Sequence, residues 1–94
     1  MESDWKKKLV EYRVQINDID SKLVDLLNER AVVVMKVKKL KQKENLPLYD
    51  ARREEELIEN IAKYNKGPLY RDNIIQIFES ILRNVQILEK DENL

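Results

Sequence analysis

The chain has 94 residues, enough for one domain spanning 1–94, with 18 Lys plus Arg balanced by 18 Asp plus Glu. It contains neither Cys nor His, which excludes disulfides, thiolate chemistry, a histidine-based triad and a zinc site built on those ligands. The zero net charge argues against a nucleic-acid binder working through a broad basic field. A carboxylate-only Mg²⁺ or Ca²⁺ site stays chemically open, but no EF-hand spacing occurs. No apolar run approaches membrane-spanning length. The start, MESDWKKKLVEYR, is charged and lacks the apolar stretch of a signal peptide. The expectation is a soluble, cytoplasmic protein with no membrane contact.

One Gly, two Pro and 38% charged residues point to long, solvated helices. No period-two strand pattern and no internal repeat are visible. The fold class expected is all-α, with one very long N-terminal helix and two shorter ones.

The first helix is expected over about residues 5–43. No Gly or Pro interrupts it, and apolar residues step by three and four through Leu9, Tyr12, Ile16, Ile19, Leu23 and Leu26, then Val33, Val37 and Leu40. This is a heptad seam. The cluster NDIDS (17–21) contains residues able to cap a new helix, yet Ile16, Ile19 and Leu23 keep the seam in phase across it, so one helix is expected. At the usual rise it is roughly 58 Å long. A compact globule of this size is only about 30 Å across, since its radius of gyration is about 12 Å. The rest of the chain cannot cover such a seam, and a second copy can, so an intertwined homodimer is inferred.

Pro47 ends this helix or follows its end. The second helix should start near Asp50, a suitable N-cap, and carry Leu57, Ile58, Ile61 and Tyr64. The run NKGP (65–68) should stop it, with Gly67 as a candidate C′ residue. The third helix is expected over about 70–90, with the stripe Ile74, Ile77, Phe78, Ile81, Leu82, Val85 and Leu88. The tail KDENL should fray.

Several charged residues fall where apolar ones belong. Arg30 occupies a seam position, so its guanidinium is either paired, for instance with a Glu of a partner helix, or set for an anion. Lys41 follows eleven residues later, nearly three turns and roughly 16 Å along the helix, on almost the same face. Alone it reads as a solvated helix-end lysine. Together, Arg30 and Lys41 can reach toward one small ligand. Arg13 lies 28 residues before Lys41, roughly 42 Å away along a helix, so it can approach such a site only from the other chain of an antiparallel or crossed dimer. Arg53 and Glu54 open the second helix, where Asp50 caps it; each would otherwise be a surface charge. Glu89 continues the core stripe of the third helix, and a carboxyl in such a place tends to have a raised pKa and can donate a hydrogen bond when neutral.

The run YRVQINDIDSKLVDLLNERAVVVMKVKKLK (12–41), followed by LPLYDARREEELI (46–58), resembles the all-helical class of chorismate mutases. The resemblance rests on Arg13, Ile16, Ile19, Asp20, Leu23, Leu26, Leu27, Arg30, Val37, Lys41, Pro47, Asp50, Arg53 and Glu54 taken together. It implies an entwined dimer of three-helix chains and an isomerase that converts chorismate to prephenate by a Claisen rearrangement, within aromatic amino-acid biosynthesis. It implies no cofactor, metal or covalent intermediate. By the same resemblance, Arg30 and the partner's Arg13 would clamp the two substrate carboxylates. Lys41 and Glu89 would stabilise the ether oxygen as its C–O bond breaks. Glu54 and the backbone near Asp50 would hold the ring hydroxyl, and Arg53 would support that wall. Two positions depart from the family. Glu89 stands where many relatives carry Gln, and Val85 stands where a small polar residue such as Ser is common, so either a carboxylate contact is missing or Asn84, beside it, supplies it. Two other readings fit parts of the pattern: an isochorismate pyruvate-lyase with a similar cationic dimer site, and a non-catalytic helical dimerisation module, which explains the seam but not the placed charges.

Overall fold

A computed structural model describes the backbone of residues 2–90 and the side chains of residues 3–87. The described chain is all-helical: α1 spans Glu2–Lys43, α2 Ala51–Tyr64 and α3 Arg71–Lys90. α1 ends where the seam ends but begins three residues earlier than expected. Asp4 favours that extension, because a carboxylate suits the positive end of a helix. The NDIDS cluster stays helical. Ser21 Oγ donates to the Asn17 carbonyl at 3.0 Å, so the hydroxyl is satisfied within the helix instead of capping a new one.

The chain divides into two compact units, residues 1–33 and residues 34–94. In the first, every described side chain up to Glu29 is exposed. The seam residues Ile16, Leu23 and Leu26 keep 54, 51 and 58% of their surface in contact with solvent.

The second unit holds the last turns of α1, α2 and α3. α1 stops in a Schellman motif. Asn45 takes φ +55°, its N–H donates to the Gln42 carbonyl at 3.3 Å, and the Leu46 N–H donates to the Lys41 carbonyl at 2.8 Å. Asn tolerates the left-handed conformation better than other residues with a Cβ, so Asn45 ends the helix and Pro47 only prevents its resumption. α2 is capped as expected: Asp50 is extended, and its Oδ1 accepts from the Arg53 N–H at 3.1 Å. Glu54 lies in the first turn, where the helix dipole favours a carboxylate.

α2 and α3 pack on each other. From α2 the packed face is Leu57, Ile58, Ile61 and Ala62, and from α3 it is Ile74, Phe78, Ile81, Leu82 and Val85. Two expected core residues, Tyr64 and Ile77, sit at the edges of these faces and are exposed; Ala62, one turn beyond Ile58, takes the central place. Among the described residues Ala62 is the sole buried hydrophobic one.

Gly67 is not the C′ residue of α2. The helix closes on Asn65, whose backbone N–H donates to the Ile61 carbonyl. The Asn65 side chain then holds the connection, donating to the Leu69 carbonyl at 2.8 Å and accepting from the Gly67 N–H at 3.3 Å. Gly67 is used inside this turn, at φ +81°, a conformation that costs an L-residue energy. The Ile74 N–H donates to the Tyr70 carbonyl at 3.1 Å, so α3 starts one residue later than expected. Among the described residues no helix is long and apolar enough to cross a membrane.

Candidate active site

In the second unit two lysines line one small cavity near the end of α1. Its walls are Val34, Val37, Lys38, Lys41 and Leu48. Lys41 Nζ donates to the Leu48 carbonyl at 3.3 Å. The Schellman turn makes this contact possible, because it brings residue 48 back against the last turn of α1. An ammonium has three donors, so this bond orients the Lys41 head and uses one of them. Lys38, one turn earlier, is 4% exposed. Sequence reading passed over it. The available signal was its place on the same face as Arg30, Val34 and Lys41.

The start of α2 supplies the second group. Asp50 and Arg53 are exposed and Glu54 is half-buried. Asp50 is spent on capping, as the Arg53 N–H contact shows. The Glu54 carboxylate faces a groove of about 500 Å³ between α2 and α3, lined among others by Tyr49, Ala51, Ile58, Leu82 and Gln86. Gln86 Nε2 donates to Glu54 Oε1 at 3.2 Å. Gln86 was not singled out from the sequence; it lies one turn beyond Leu82, on the flank of the packed face, where an amide needs a partner.

On α3 Val85 is half-buried and Asn84 is exposed. The Asn84 amide donates back to the Ser80 carbonyl at 2.7 Å and to Ser80 Oγ at 3.3 Å. Of the two, Val85 occupies the inward position, and Asn84 is engaged one turn back along its own helix. Glu89 belongs to α3, but its side chain lies outside the described residues.

In the first unit Arg13 is exposed and Arg30 is half-buried. Arg30 Nη1 is fully shielded from solvent and has no hydrogen-bond partner among the described residues. A guanidinium stays protonated at any physiological pH, and leaving one shielded N–H of it without an acceptor costs about 1–3 kcal/mol. Nη1 is therefore a donor open to an acceptor, from a partner chain or from a ligand.

A sequence profile described as chorismate mutase type II matches residues 12–90. The bifunctional chorismate mutase/prephenate dehydratase of Aquifex aeolicus is 34% identical over 88 residues, covering 89% of this chain and 24% of that protein. The chain thus spans about a quarter of the length of such two-function relatives. The chorismate mutase of Methanocaldococcus jannaschii is 32% identical over 85 residues, covering 89% of this chain and 86% of that protein. Among solved structures, chorismate mutase (form II) from Thermus thermophilus superposes with a TM-score of 0.87 at 27% identity, covering 90% of this chain and 97% of the other. With the profile covering most of the chain and a relative of 32% identity matched over most of its length, this chain belongs to the chorismate mutase type II family.

Proposed function

We propose that this chain is a chorismate mutase, an isomerase that rearranges chorismate to prephenate for aromatic amino-acid biosynthesis in the cytoplasm. The observation that carries the reading is the shielded, unpartnered Nη1 of Arg30, on a chain whose family takes a substrate with two carboxylates. Neither the lyase nor the bare dimerisation module is favoured by the family match.

The working unit is a homodimer. α1 is 42 residues long, about 63 Å at the usual rise. Its apolar seam is exposed in the single chain, where only Ala62 among described hydrophobic residues is buried. A second copy supplies the missing cover. It also brings the partner's Arg13 to a site built from Arg30, Lys41, Asp50, Arg53 and Glu54.

The chemistry needs positioning and charge. Arg30 and the partner's Arg13 grip the two carboxylates through forked contacts. This selects the folded conformer in which the two carbons about to bond lie close together. The ether C–O bond then breaks as the C–C bond forms, and negative charge grows on the ether oxygen. Lys41, its head already oriented by the Leu48 carbonyl, meets that charge from one side and Glu89 from the other. Glu54 takes the ring hydroxyl with the backbone near Asp50, and Arg53 supports that wall. Val85 offers only an apolar contact where relatives use a small polar side chain.

The direct test is chorismate consumption with the product identified. Prephenate should form without added metal or cofactor. Loss of chorismate without prephenate, or no loss at all, would refute the assignment.

Glu89 adds a pH signature. Only its protonated form can donate to the ether oxygen, so kcat/KM should fall as pH rises through the Glu89 pKa. Glu89→Gln keeps a donor at all pH values and should flatten the profile. A wild-type rate independent of pH between about 4 and 9, a range spanning ordinary and strongly raised carboxyl pKa values, would remove Glu89 from this role.

A further inference from the structure

We propose that Gln86 is a positioning residue that holds the Glu54 carboxylate in one rotamer, so that its second oxygen is presented to the substrate hydroxyl. The proposal rests on the chorismate mutase reading of the site.

The geometry is specific. Gln86 Nε2 donates to Glu54 Oε1 at 3.2 Å, across 32 residues of sequence and from α3 to α2. Both side chains are half-buried, in the groove that also holds Ala51, Ile58 and Leu82. A glutamate side chain has three rotatable bonds, and a single hydrogen bond at its tip removes most of that freedom. The bond is assisted by the carboxylate charge, which makes it stronger than a neutral pair.

The identity of the donor matters. A lysine or arginine at this place would hold Glu54 as well, but would neutralise it. An amide orients the carboxylate and leaves its charge intact. It also occupies only Oε1, so Oε2 keeps its capacity to accept from a hydroxyl. Other charged residues line the groove: the acids Glu55, Glu59 and Glu79 and the cation Arg83, all exposed. With Glu54 the acids outnumber the cation four to one, which disfavours a substrate carboxylate and is compatible with a neutral hydroxyl, the role given to Glu54.

The same hydrogen bond could act as a plain clip between α2 and α3, and the test separates the two. Gln86→Met keeps the size of the side chain and removes the donor. It should lower kcat/KM for chorismate about tenfold, mostly through KM, because a hydroxyl held equally in ground and transition states contributes uniform binding. In a Glu54→Ala background the same substitution should change kcat/KM by less than about twofold, since residues acting as one unit are not additive. A clip would show in stability instead: Gln86→Met would lower the melting temperature when Glu54 is present but not in the Glu54→Ala background, and KM of the folded fraction would stay unchanged. That result, or unchanged kinetics in Gln86→Met, overturns the proposal while leaving the mutase reading standing. No turnover by the unmutated protein overturns both. A readout on the unmutated chain guards against a variant that fails to fold. The Gln86 side-chain amide resonance should shift on saturation with prephenate, which carries the hydroxyl. An unmoved resonance at saturation overturns the proposal.

Discussion

Arg30→Ala is expected to lower kcat/KM for chorismate by about a thousandfold, the scale seen when a preorganised charged donor is removed from a site. The melting temperature should stay level or rise. The two signs follow from one cause. In the free chain Arg30 Nη1 is shielded and has no partner among the described residues, so this donor contributes nothing to stability and costs a little. It is useful only when a carboxylate arrives. Arg30→Lys should recover little, because an ammonium cannot make the forked contact. Arg52→Ala is the matched control. Arg52 is exposed and paired with Glu56 at 3.5 Å within α2, a surface pair of the kind that contributes little, so its loss should leave activity within about twofold. Paired measurements of steady-state kinetics and thermal unfolding decide the matter. If Arg30→Ala unfolds more easily while the folded fraction keeps its activity, Arg30 is a structural residue and the site is wrongly placed.

The helices were legible because the signals were redundant. The seam from Leu9 to Leu40 fixed α1 despite NDIDS, and Asp50 announced α2 through a cap that the structure reproduces. What escaped were effects set by backbone conformation or by distant pairing. Asn45 ends α1 through a left-handed φ, which a single Asn does not advertise. Gly67 looked like a cap, yet Asn65 closes the helix and shapes the turn. Tyr64 and Ile77 fell at the margins of their faces, where spacing alone does not decide burial. In the site, the charged residues were readable from order and spacing. Gln86 was not, because its meaning comes from Glu54, 32 residues away. Lys38 was not, because its near-complete burial depends on how the turn at 44–48 folds back on α1.

Mixing two inactive variants, Arg13→Ala and Lys41→Ala, should restore activity. Twenty-eight positions separate the two residues in the sequence, which a helix converts to roughly 42 Å. No single small ligand bridges that distance, so the two can serve one site only if they come from different chains. Each variant alone should fall at least about a hundredfold below wild type, the scale for one lost preorganised charged donor. After subunit exchange, half of the dimers carry one chain of each kind. In each such dimer one of the two sites receives an intact Arg13 from one chain and an intact Lys41 from the other. One site in four is then wild type, and the mixture should reach about a quarter of wild-type activity by the symmetry of a two-fold dimer. If the seam exposed in the single chain at Ile16, Leu23 and Leu26 is the dimer interface proposed above, exchange requires its separation, and mild denaturant followed by dilution should speed it. Sedimentation of the mixture checks that dimers have reformed. Reformed dimers with no recovered activity would mean that Arg13 does not complete the site from the partner chain. Recovery well above a quarter would mean that one of the two substitutions was tolerated without help.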